Sequence, residues 1–220
     1  MVAAAALVAA AAIAVVVTRD DGGTAPQAQR PNIVVIMTDD QTLESMRVLP
    51  RVQALIGDEG LTFTDSIVSF SLCCPSRATF LTGQYSHNHG VRGNQLPDGG
   101  YEAFSDEETT MPVALQQAGY TTAHVGKYLN GYGFDEPVDA PPGWDEWFTE
   151  LDVRSQRYVG FTMLENGTER TYGPDDYSTD VFTDLAVATI DRHADAADPF
   201  FLTVDYFAPH ADFAFTEDGL

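Results

Sequence analysis

The sequence predicts an α/β fold with a mainly parallel sheet flanked by helices. Continuous apolar, β-branched runs recur along the chain, and such runs are typical of strands that a parallel sheet buries on both faces. Segments with apolar residues at helical spacing lie between these runs, as the crossovers between parallel strands require. A length of 220 residues is enough for one domain with a hydrophobic core.

The predicted elements follow one another in alternation. Buried strands are predicted at four apolar runs, residues 32–37, 61–68, 120–125 and 199–206, with the first at the centre of the sheet. Helices are predicted at residues 48–56, 76–81, 111–117 and 179–193, and a glycine follows each of the first three. Residues 143–148 are predicted as an aromatic loop. Residues 158–164 and 169–172 flank Glu165-Asn166-Gly167, which indicates a hairpin.

Composition excludes some classes of function. The net charge of −22 argues against a nucleic acid partner, because a phosphate backbone would be repelled. A site for any anion must therefore be a local concentration of positive charge. The two cysteines are adjacent, so no structural disulfide is expected. Lys127 is the only lysine beside ten arginines, which indicates a chemical role, although a surviving surface lysine is the alternative.

The N-terminus has the character of an export signal. Residues 1–17 are apolar and uncharged, which is typical of a signal peptide or a signal anchor that would tether the protein to a membrane. Residues 18–30 are predicted as a flexible linker, and the catalytic portion as residues 31–220. We therefore expect an exported protein, either secreted, periplasmic or anchored at the cell surface. The alternative is a buried helix at the N-terminus.

Residues 73–83, Cys-Cys-Pro-Ser-Arg-Ala-Thr-Phe-Leu-Thr-Gly, carry the most specific motif. Pro75 fits the first turn of a helix and Gly83 a helix end, so Cys73 is expected just ahead of a helix N-terminus, where free N–H groups favour anions. Arg77 is four residues further on, and its guanidinium can fold back toward position 73 and hold an oxyanion. The alternative is a reactive or metal-binding cysteine pair on a turn.

Further polar residues follow predicted strands. Asp39 and Asp40 follow the first strand, and ligands of open α/β sheets bind beyond the carboxyl ends of strands. Adjacent carboxylates would repel one another without a cation, and their oxygens suit Ca²⁺ or Mg²⁺, although a turn or helix cap explains them equally well. Lys127 also follows a strand and could reach the same edge of the sheet, and His210 follows the last strand. For His210 an ordinary loop histidine is the alternative.

The Cys-x-Pro-Ser-Arg run with its Leu-Thr-Gly close resembles the signature of the type I, formylglycine-dependent sulfatases. The resemblance implies an alkaline-phosphatase-like fold. It implies that a formylglycine-generating enzyme oxidises Cys73 to formylglycine, a built-in cofactor whose hydrated hydroxyl attacks the sulfur of a sulfate ester. It also implies a metal site of Asp39, Asp40 and residue 73 that binds calcium, with magnesium as the second choice.

The same resemblance assigns roles to the remaining site residues. Arg77 and Lys127 correspond to family residues at the sulfate, and His210 corresponds to the histidine near the leaving group. The alternatives left open are a phosphatase or phosphodiesterase of the same superfamily with an unmodified nucleophile, and an inactive truncated fragment.

Several segments resemble the N-acetylglucosamine-6-sulfatase and heparan sulfatase branch: Cys73-Cys74-Pro75, His87-Asn88-His89, residues 126–130 and residues 141–144. The branch implies a sulfated carbohydrate as substrate, such as a glucosamine 6-sulfate. Leu129 departs from the pattern, because many sulfatases have histidine there. His87 and His89 are predicted to have a structural or substrate-rim role.

The likeness extends from about Pro31 to about His210, and sulfatases are roughly twice as long as this sequence. We therefore expect the N-terminal portion of a catalytic domain, with a sheet that is incomplete at its C-terminus. In the family, a later Asp-Asn or Asp-His pair completes the calcium site.

Overall fold

The computed structural model describes residues 30–134, 139–151 and 157–212. A six-stranded sheet forms its centre, with strands Ile33–Met37 (β1), Thr121–Lys127 (β2), Glu146–Glu150 (β3), Thr162–Glu165 (β4), Thr168–Thr171 (β5) and Phe200–Asp205 (β6). The strand order is β1-β6-β2-β3-β4-β5. The first four strands in this order are parallel, and β4 and β5 extend the sheet as an antiparallel hairpin. The prediction of a mainly parallel α/β sheet is confirmed.

Helices cover the sheet. They are Pro50–Val52 (α1), Cys73–Thr82 (α2), Ser86–His89 (α3), Met111–Gln117 (α4) and Ser178–His193 (α5), with 3-10 turns at Glu44–Val48, Tyr101–Ala103 and Glu107–Thr109. Strand β6 is buried throughout, and its alternate residues belong to two apolar clusters. Phe201 packs in the cluster that includes residues of α2, whereas Leu202 packs in the cluster of α5. Because alternate residues of a strand face opposite sides, helices lie on both faces of the sheet.

Two predictions for the first part of the chain are wrong. Strand β1 was expected at the centre, but β6 is its only partner among the described strands, so it lies at an edge and Val34 and Ile36 remain 42% and 57% exposed. The strand expected at residues 61–68 is irregular, with Leu61 and Phe63 exposed. An apolar run forms a buried strand only where neighbouring elements cover it, and the described residues do not cover this one.

Two further segments differ from their predictions. The helix expected at residues 48–56 is divided into a 3-10 turn, α1 and a π turn at Gln53–Gly57, and none of these buries a residue. The aromatic loop expected at residues 143–148 contains the start of β3, where Trp147 and Phe148 are buried. Pairing with β2 supplies the backbone hydrogen bonds of this strand.

The hairpin prediction is confirmed, with shorter strands than expected. Asn166 and Gly167 connect β4 and β5 with φ angles of 48° and 84°. Positive φ at both central residues is typical of the type I′ turn, which matches the twist of the flanking strands. The Asn166 side chain also accepts a hydrogen bond of 2.7 Å from the Trp147 N–H. The hairpin is thereby attached to the adjacent parallel strand β3.

No helix among the described residues is long and apolar enough to cross a membrane. The export signal expected at residues 1–17 and nearly all of the linker expected at residues 18–30 lie outside the described residues.

Candidate active site

The candidate site lies where β1, β6 and β2 end. Asp205 and Lys127 are the last residues of β6 and β2, and Asp39 follows β1 by two residues. The register places Asp205 beside Met37 of β1 and Gly126 of β2. Because the carboxyl ends of parallel strands meet at one edge of a sheet, these side chains converge. Sequence reasoning placed Asp39 and Lys127 at one edge, and the structure brings them together.

Helix α2 brings Cys73 to this edge. Cys73 is the first residue of the helix rather than the residue ahead of it, which corrects the prediction by one position. The helix ends at Gly83, whose φ of 69° is the left-handed conformation that glycine adopts readily. The Cys73 Sγ donates a hydrogen bond of 3.4 Å to Asp39 Oδ1. The signature cysteine therefore contacts the first of the two predicted metal-binding carboxylates.

Four buried charges form a network around this contact, and we call Asp39, Arg77, Lys127 and Asp205 the buried cluster. Lys127 Nζ donates a hydrogen bond to Asp39. Arg77 Nη1 lies 3.0 Å from Asp205 Oδ1, and Arg77 Nη2 lies 3.8 Å from Asp39 Oδ2. No side chain of the cluster is more than 8% exposed. Two cations thus compensate two carboxylates that would be costly to bury alone.

The charges set the protonation of Asp39 and Cys73. Burial raises the pKa of Asp39, but the nearby Lys127 and Arg77 outweigh it, and the pKa lies below its ordinary value. Asp39 is therefore a carboxylate at neutral pH. For Cys73, burial is the largest influence on the pKa and raises it, with a further rise from Asp39. The unmodified cysteine is therefore a protonated thiol at neutral pH.

Gly126 permits the close approach of β2 and β6 at the site. Its φ is 113°, and a Cβ at this position would lie 2.1 Å from the Asp205 carbonyl oxygen. Only a residue without a side chain fits against this backbone. The glycine before Lys127 thus allows β2 to carry the lysine into the buried cluster. Lys127 Nζ also lies 5.6 Å from the centre of the Phe207 ring, a cation–π contact.

Asp40, which is exposed, and His210, which is partly buried, form the rim of the site. Asp40 has a φ of 58°, a left-handed conformation that aspartate tolerates, and its side chain is 61% exposed. Its Oδ2 lies 3.5 Å from His210 Nε2. The His210 main-chain carbonyl accepts a hydrogen bond of 2.7 Å from the Tyr158 hydroxyl. The structure therefore places His210 beside Asp40, one residue of the predicted metal-binding pair.

The residues predicted to hold calcium fit a hard cation in part. One donor atom each from Asp39, Asp40 and Cys73 lies within 4.8 Å of the others, the only such group of possible ligands in the described part of the chain. Carboxylate oxygens suit Ca²⁺ and Mg²⁺, and the exposed Asp40 is open to further ligands. Because calcium takes about six to eight oxygens, this set alone would not complete the coordination sphere.

His87 and His89 do not share a site. His89 is buried, and its Nδ1 accepts a hydrogen bond of 3.2 Å from the Val91 N–H while its Nε2 lies 3.1 Å from Thr79 Oγ1. Burial lowers the pKa of His89, which favours the neutral ring. His87 is exposed and stacks on Tyr85. The structural role predicted for this pair is confirmed for His89.

Sequence reasoning missed Asp205. The signal was present, because Asp205 ends a buried apolar strand just as Asp39 follows one. An aspartate at the end of a strand is common, however, and only the strand order reveals that β6 lies between β1 and β2. Asn94 was also missed. Its Oδ1 accepts a hydrogen bond of 2.9 Å from the Cys74 N–H and so secures the first turn of α2.

Comparison with known proteins identifies the family. The sulfatase family model matches residues 31–218. The chain is 39% identical over 202 residues to an N-acetylglucosamine-6-sulfatase of Homo sapiens, covering 86% of this chain and 36% of that protein. It is 40% identical over 187 residues to a Caenorhabditis elegans homologue of the extracellular sulfatase Sulf-1, covering 81% of this chain and 26% of that protein. The chain thus spans about a third or less of the length of these relatives.

The solved structures agree. A protein solved in complex with its substrate D-glucosamine-2-N,6-O-disulfate superposes with a TM-score of 0.68 at 31% sequence identity, covering 82% of this chain and 35% of that one. The expected fold class, an alkaline-phosphatase-like sheet of which the chain forms the N-terminal part, is confirmed. The family match and the shared fold lead to one conclusion: the chain belongs to the sulfatase family.

Proposed function

We propose that the protein is a sulfuric ester hydrolase that acts on sulfated sugars through a formylglycine made from Cys73. One observation carries the proposal. The signature cysteine begins α2 and contacts Asp39, which is hydrogen-bonded to the buried Lys127 and lies 3.8 Å from the buried Arg77. A reacting group at residue 73 would therefore lie beside both a metal-binding carboxylate and the positive charge that a sulfate requires.

Lys127 and Arg77 supply the local positive charge that the net charge of −22 makes necessary. Both are held within the fold, Lys127 by Asp39 and Arg77 by Asp205 and the Lys127 carbonyl. Donors fixed in advance, in a site that excludes water, stabilise developing negative charge more strongly than mobile ones. We infer that they bind sulfate oxygens as charge moves from the breaking S–O bond.

Asp39 and Asp40 would hold calcium together with residue 73. When bound, calcium supplies positive charge that aligns the nucleophile and neutralises the sulfate. Formylglycine supplies a hydroxyl nucleophile and, after sulfate transfer, a second hydroxyl that allows sulfate to be expelled. A formylglycine-generating enzyme is the partner that this maturation requires.

His210 is the group placed to assist the leaving alcohol. Its Nδ1 lies 2.7 Å from the Ala211 carbonyl oxygen, which leaves Nε2 facing Asp40 and the site. Because a carbonyl oxygen only accepts, Nδ1 carries a proton; we infer that His210 acts as the imidazolium, whose second proton, on Nε2, passes to the leaving oxygen and leaves the neutral ring. Leu129, where many sulfatases have histidine, is buried in the apolar core and does not reach the site. Among the residues that the structure describes, the acid is therefore assigned to His210.

Relatives indicate the class of substrate and the location. One relative is named for the 6-sulfate of N-acetylglucosamine, and one solved relative holds a glucosamine sulfated at O6. We propose a 6-sulfated glucosamine as substrate. Another relative is an extracellular sulfatase homologue, which supports export with residues 1–17 as a cleaved signal or a membrane tether.

The alternative is a phosphatase or phosphodiesterase of the same superfamily that uses an unmodified nucleophile. Mass spectrometry of the peptide that contains Cys73, from protein made in its own host, tests the modification directly. Formylglycine at residue 73 is expected, and an unmodified thiol in active protein would favour the phosphatase.

A matched pair of variants tests the activity. Cys73→Ala should abolish release of sulfate from glucosamine 6-sulfate, whereas Cys74→Ala should retain it. Cys74 is fully buried in the apolar cluster, and its replacement should cost only stability, on the order of 1 kcal/mol. Sulfate release by the Cys73→Ala variant would exclude the proposed mechanism.

A further inference from the structure

We propose that Asp205 is a positioning residue that holds Arg77 in place for the sulfate. It thereby keeps the Arg77 guanidinium from forming a close ion pair with the Asp39 carboxylate. The proposal rests on the proposed function, because it assigns a role within the same site. Asp205 touches neither Cys73 nor Asp40 among the contacts of the structure, so it acts through Arg77.

Both oxygens of the Asp205 carboxylate have a partner. Oδ1 lies 3.0 Å from Arg77 Nη1, and Oδ2 lies 3.3 Å from His124 Nδ1. The three side chains are at most 8% exposed. The Arg77 contact at Oδ1 and the buried His124 ring beside Oδ2 restrict rotation of the carboxylate, so Oδ1 faces the arginine.

The His124 ring packs beside Oδ2 of the Asp205 carboxylate. Its Nδ1 lies 3.0 Å from Thr203 Oγ1 and its Nε2 lies 3.3 Å from the Gly126 carbonyl oxygen. The ring stacks on Trp147 with centroids 4.5 Å apart. His124 therefore connects Asp205 to the aromatic core. The close packing around the His124 ring prevents it from turning.

The position of Arg77 shows what Asp205 does. Arg77 Nη1 is shared between Asp205 and the Lys127 carbonyl oxygen, 2.7 Å away, whereas Nη2 remains 3.8 Å from Asp39 Oδ2. Without Asp205, the remaining carboxylate within 4 Å would be Asp39. Arg77 would then pair with Asp39 directly, and both the sulfate-binding cation and the metal-binding carboxylate would be compromised.

Stability alone gives little reason for this arrangement. Burying a carboxylate and a guanidinium costs desolvation energy, and well-packed apolar residues often replace such pairs without loss of stability. Asp145 shows what a structural carboxylate looks like: it accepts hydrogen bonds from the Thr122 N–H at 2.9 Å and from the Thr122 hydroxyl at 3.0 Å, and it lies at an exposed position. Asp145 also accepts a hydrogen bond of 2.8 Å from the Gln116 side chain. Asp205 differs because it is buried and pairs with a buried arginine of the proposed sulfate site.

A double-mutant cycle tests the proposal. Asp205→Ala, Arg77→Ala and the double variant are compared with the unaltered protein, made with its maturation enzyme so that residue 73 is formylglycine. The readouts are kcat/KM for glucosamine 6-sulfate and the Kd for inorganic sulfate from calorimetry, which needs no turnover. Asp205→Asn serves as the conservative variant, and Asp145→Asn as the control for a carboxylate with a structural role.

Asp205→Ala should lower kcat/KM by about 10- to 100-fold, as removal of outer supporting groups does. Asp205→Asn should recover part of this loss, because its amide oxygen still accepts from Arg77. In the Arg77→Ala background, Asp205→Ala should change kcat/KM by less than about 2-fold, because residues that act as a unit are not additive. Asp145→Asn should leave kcat/KM unchanged.

The two possible failures are distinguishable. If Asp205→Ala reduces kcat/KM and sulfate affinity by the same factor with and without Arg77, Asp205 does not act through Arg77 and the positioning role is wrong. If the unaltered protein neither hydrolyses the ester nor binds sulfate, the proposed function is wrong and the positioning role falls with it.

Discussion

The two ends of the parallel sheet carry ion clusters that differ in burial. The buried cluster lies at the carboxyl ends of β1, β6 and β2. At the opposite end, a surface cluster joins Glu146, the first residue of β3, to Arg192 and His193 at the end of α5. Arg192 is 48% exposed, whereas Lys127 is 1% exposed. Both clusters have short contacts, so distance alone does not distinguish them.

The difference lies in the cost of desolvation. In the surface cluster, Glu146 and His193 are 16% and 17% exposed, but Arg192 keeps much of its hydration, so its pair with Glu146 gains little when it forms and loses little when it breaks. Charges in the buried cluster have given up their hydration, so the loss of one partner leaves another charge uncompensated. A fold that needed only stability would place apolar residues there. The buried cluster therefore indicates a function. The surface cluster only connects α5 to β3 and contributes little to stability.

The largest expected effect comes from removing one cation from each cluster. Lys127→Met should destabilise the fold by about 3–5 kcal/mol, because Asp39 is left buried with Arg77 at a distance. Arg192→Met should cost about 0.2–1 kcal/mol. Urea denaturation at pH 7 measures both. Equal losses in the two variants would contradict the comparison.

Acid should diminish the effect of Lys127→Met. The pKa of Asp39 is lower in the folded protein than its ordinary value. Its contribution to stability is therefore present above the unfolded pKa of about 3.9 and is lost as the pH falls through the folded pKa. The difference in unfolding free energy between the unaltered protein and Lys127→Met should shrink as the pH falls below about 4. A difference that stays constant into acid would show that the lysine acts through packing alone.

A smaller effect is expected from two glycines with positive φ. Gly126→Ala adds a Cβ 2.1 Å from the Asp205 carbonyl oxygen, whereas a Cβ at Gly167 meets nothing within 4 Å. Gly167→Ala should cost about 1–2 kcal/mol for its backbone conformation. Gly126→Ala carries the same cost plus about 1–3 kcal/mol of overpacking, and it should also reduce activity by moving Lys127. Thermal unfolding measures both variants. Equal midpoints for Gly126→Ala and Gly167→Ala would refute the close packing of β2 against β6.

The smallest effect concerns salt. Glu146→Gln should lose less than about 1 kcal/mol at 0.1 M NaCl, and this loss should shrink at 1 M, where the screening length falls from about 10 Å to about 3 Å. The loss in Lys127→Met should persist at 1 M, because buried pairs are screened much less. Denaturation of both variants at the two salt concentrations measures this. A loss in Glu146→Gln that is insensitive to salt would place the surface cluster in the same class as the buried one.

Local signals made much of the fold predictable. Helix α4 has the predicted bounds, α5 differs from its prediction by one residue, and the turn at Asn166 and Gly167 was expected from its two residue types. These features depend on neighbours in sequence. The edge position of β1 depends on which strands pair with it, and the exposure of residues 61–68 depends on what packs over them. Neither can be read from a stretch of sequence alone.

The site shows the same division. The rule that ligands bind beyond the carboxyl ends of strands placed Asp39 and Lys127 together without a structure. Sequence reasoning did not identify Asp205, because its importance depends on β6 lying between β1 and β2. Cys73 and Arg77 were found through their motif, but the motif did not reveal that Arg77 is turned toward Asp205.

The burial of Lys127 has a practical consequence, because this residue carries the only side-chain amine of the chain. Amine-reactive reagents such as acetic anhydride modify exposed lysines, so the native fold should protect Lys127 from them. Labelling at Lys127 would therefore report that β2 has separated from its neighbours. The rate of that labelling, followed by peptide mapping, would measure how often this end of the sheet opens, without any engineered probe.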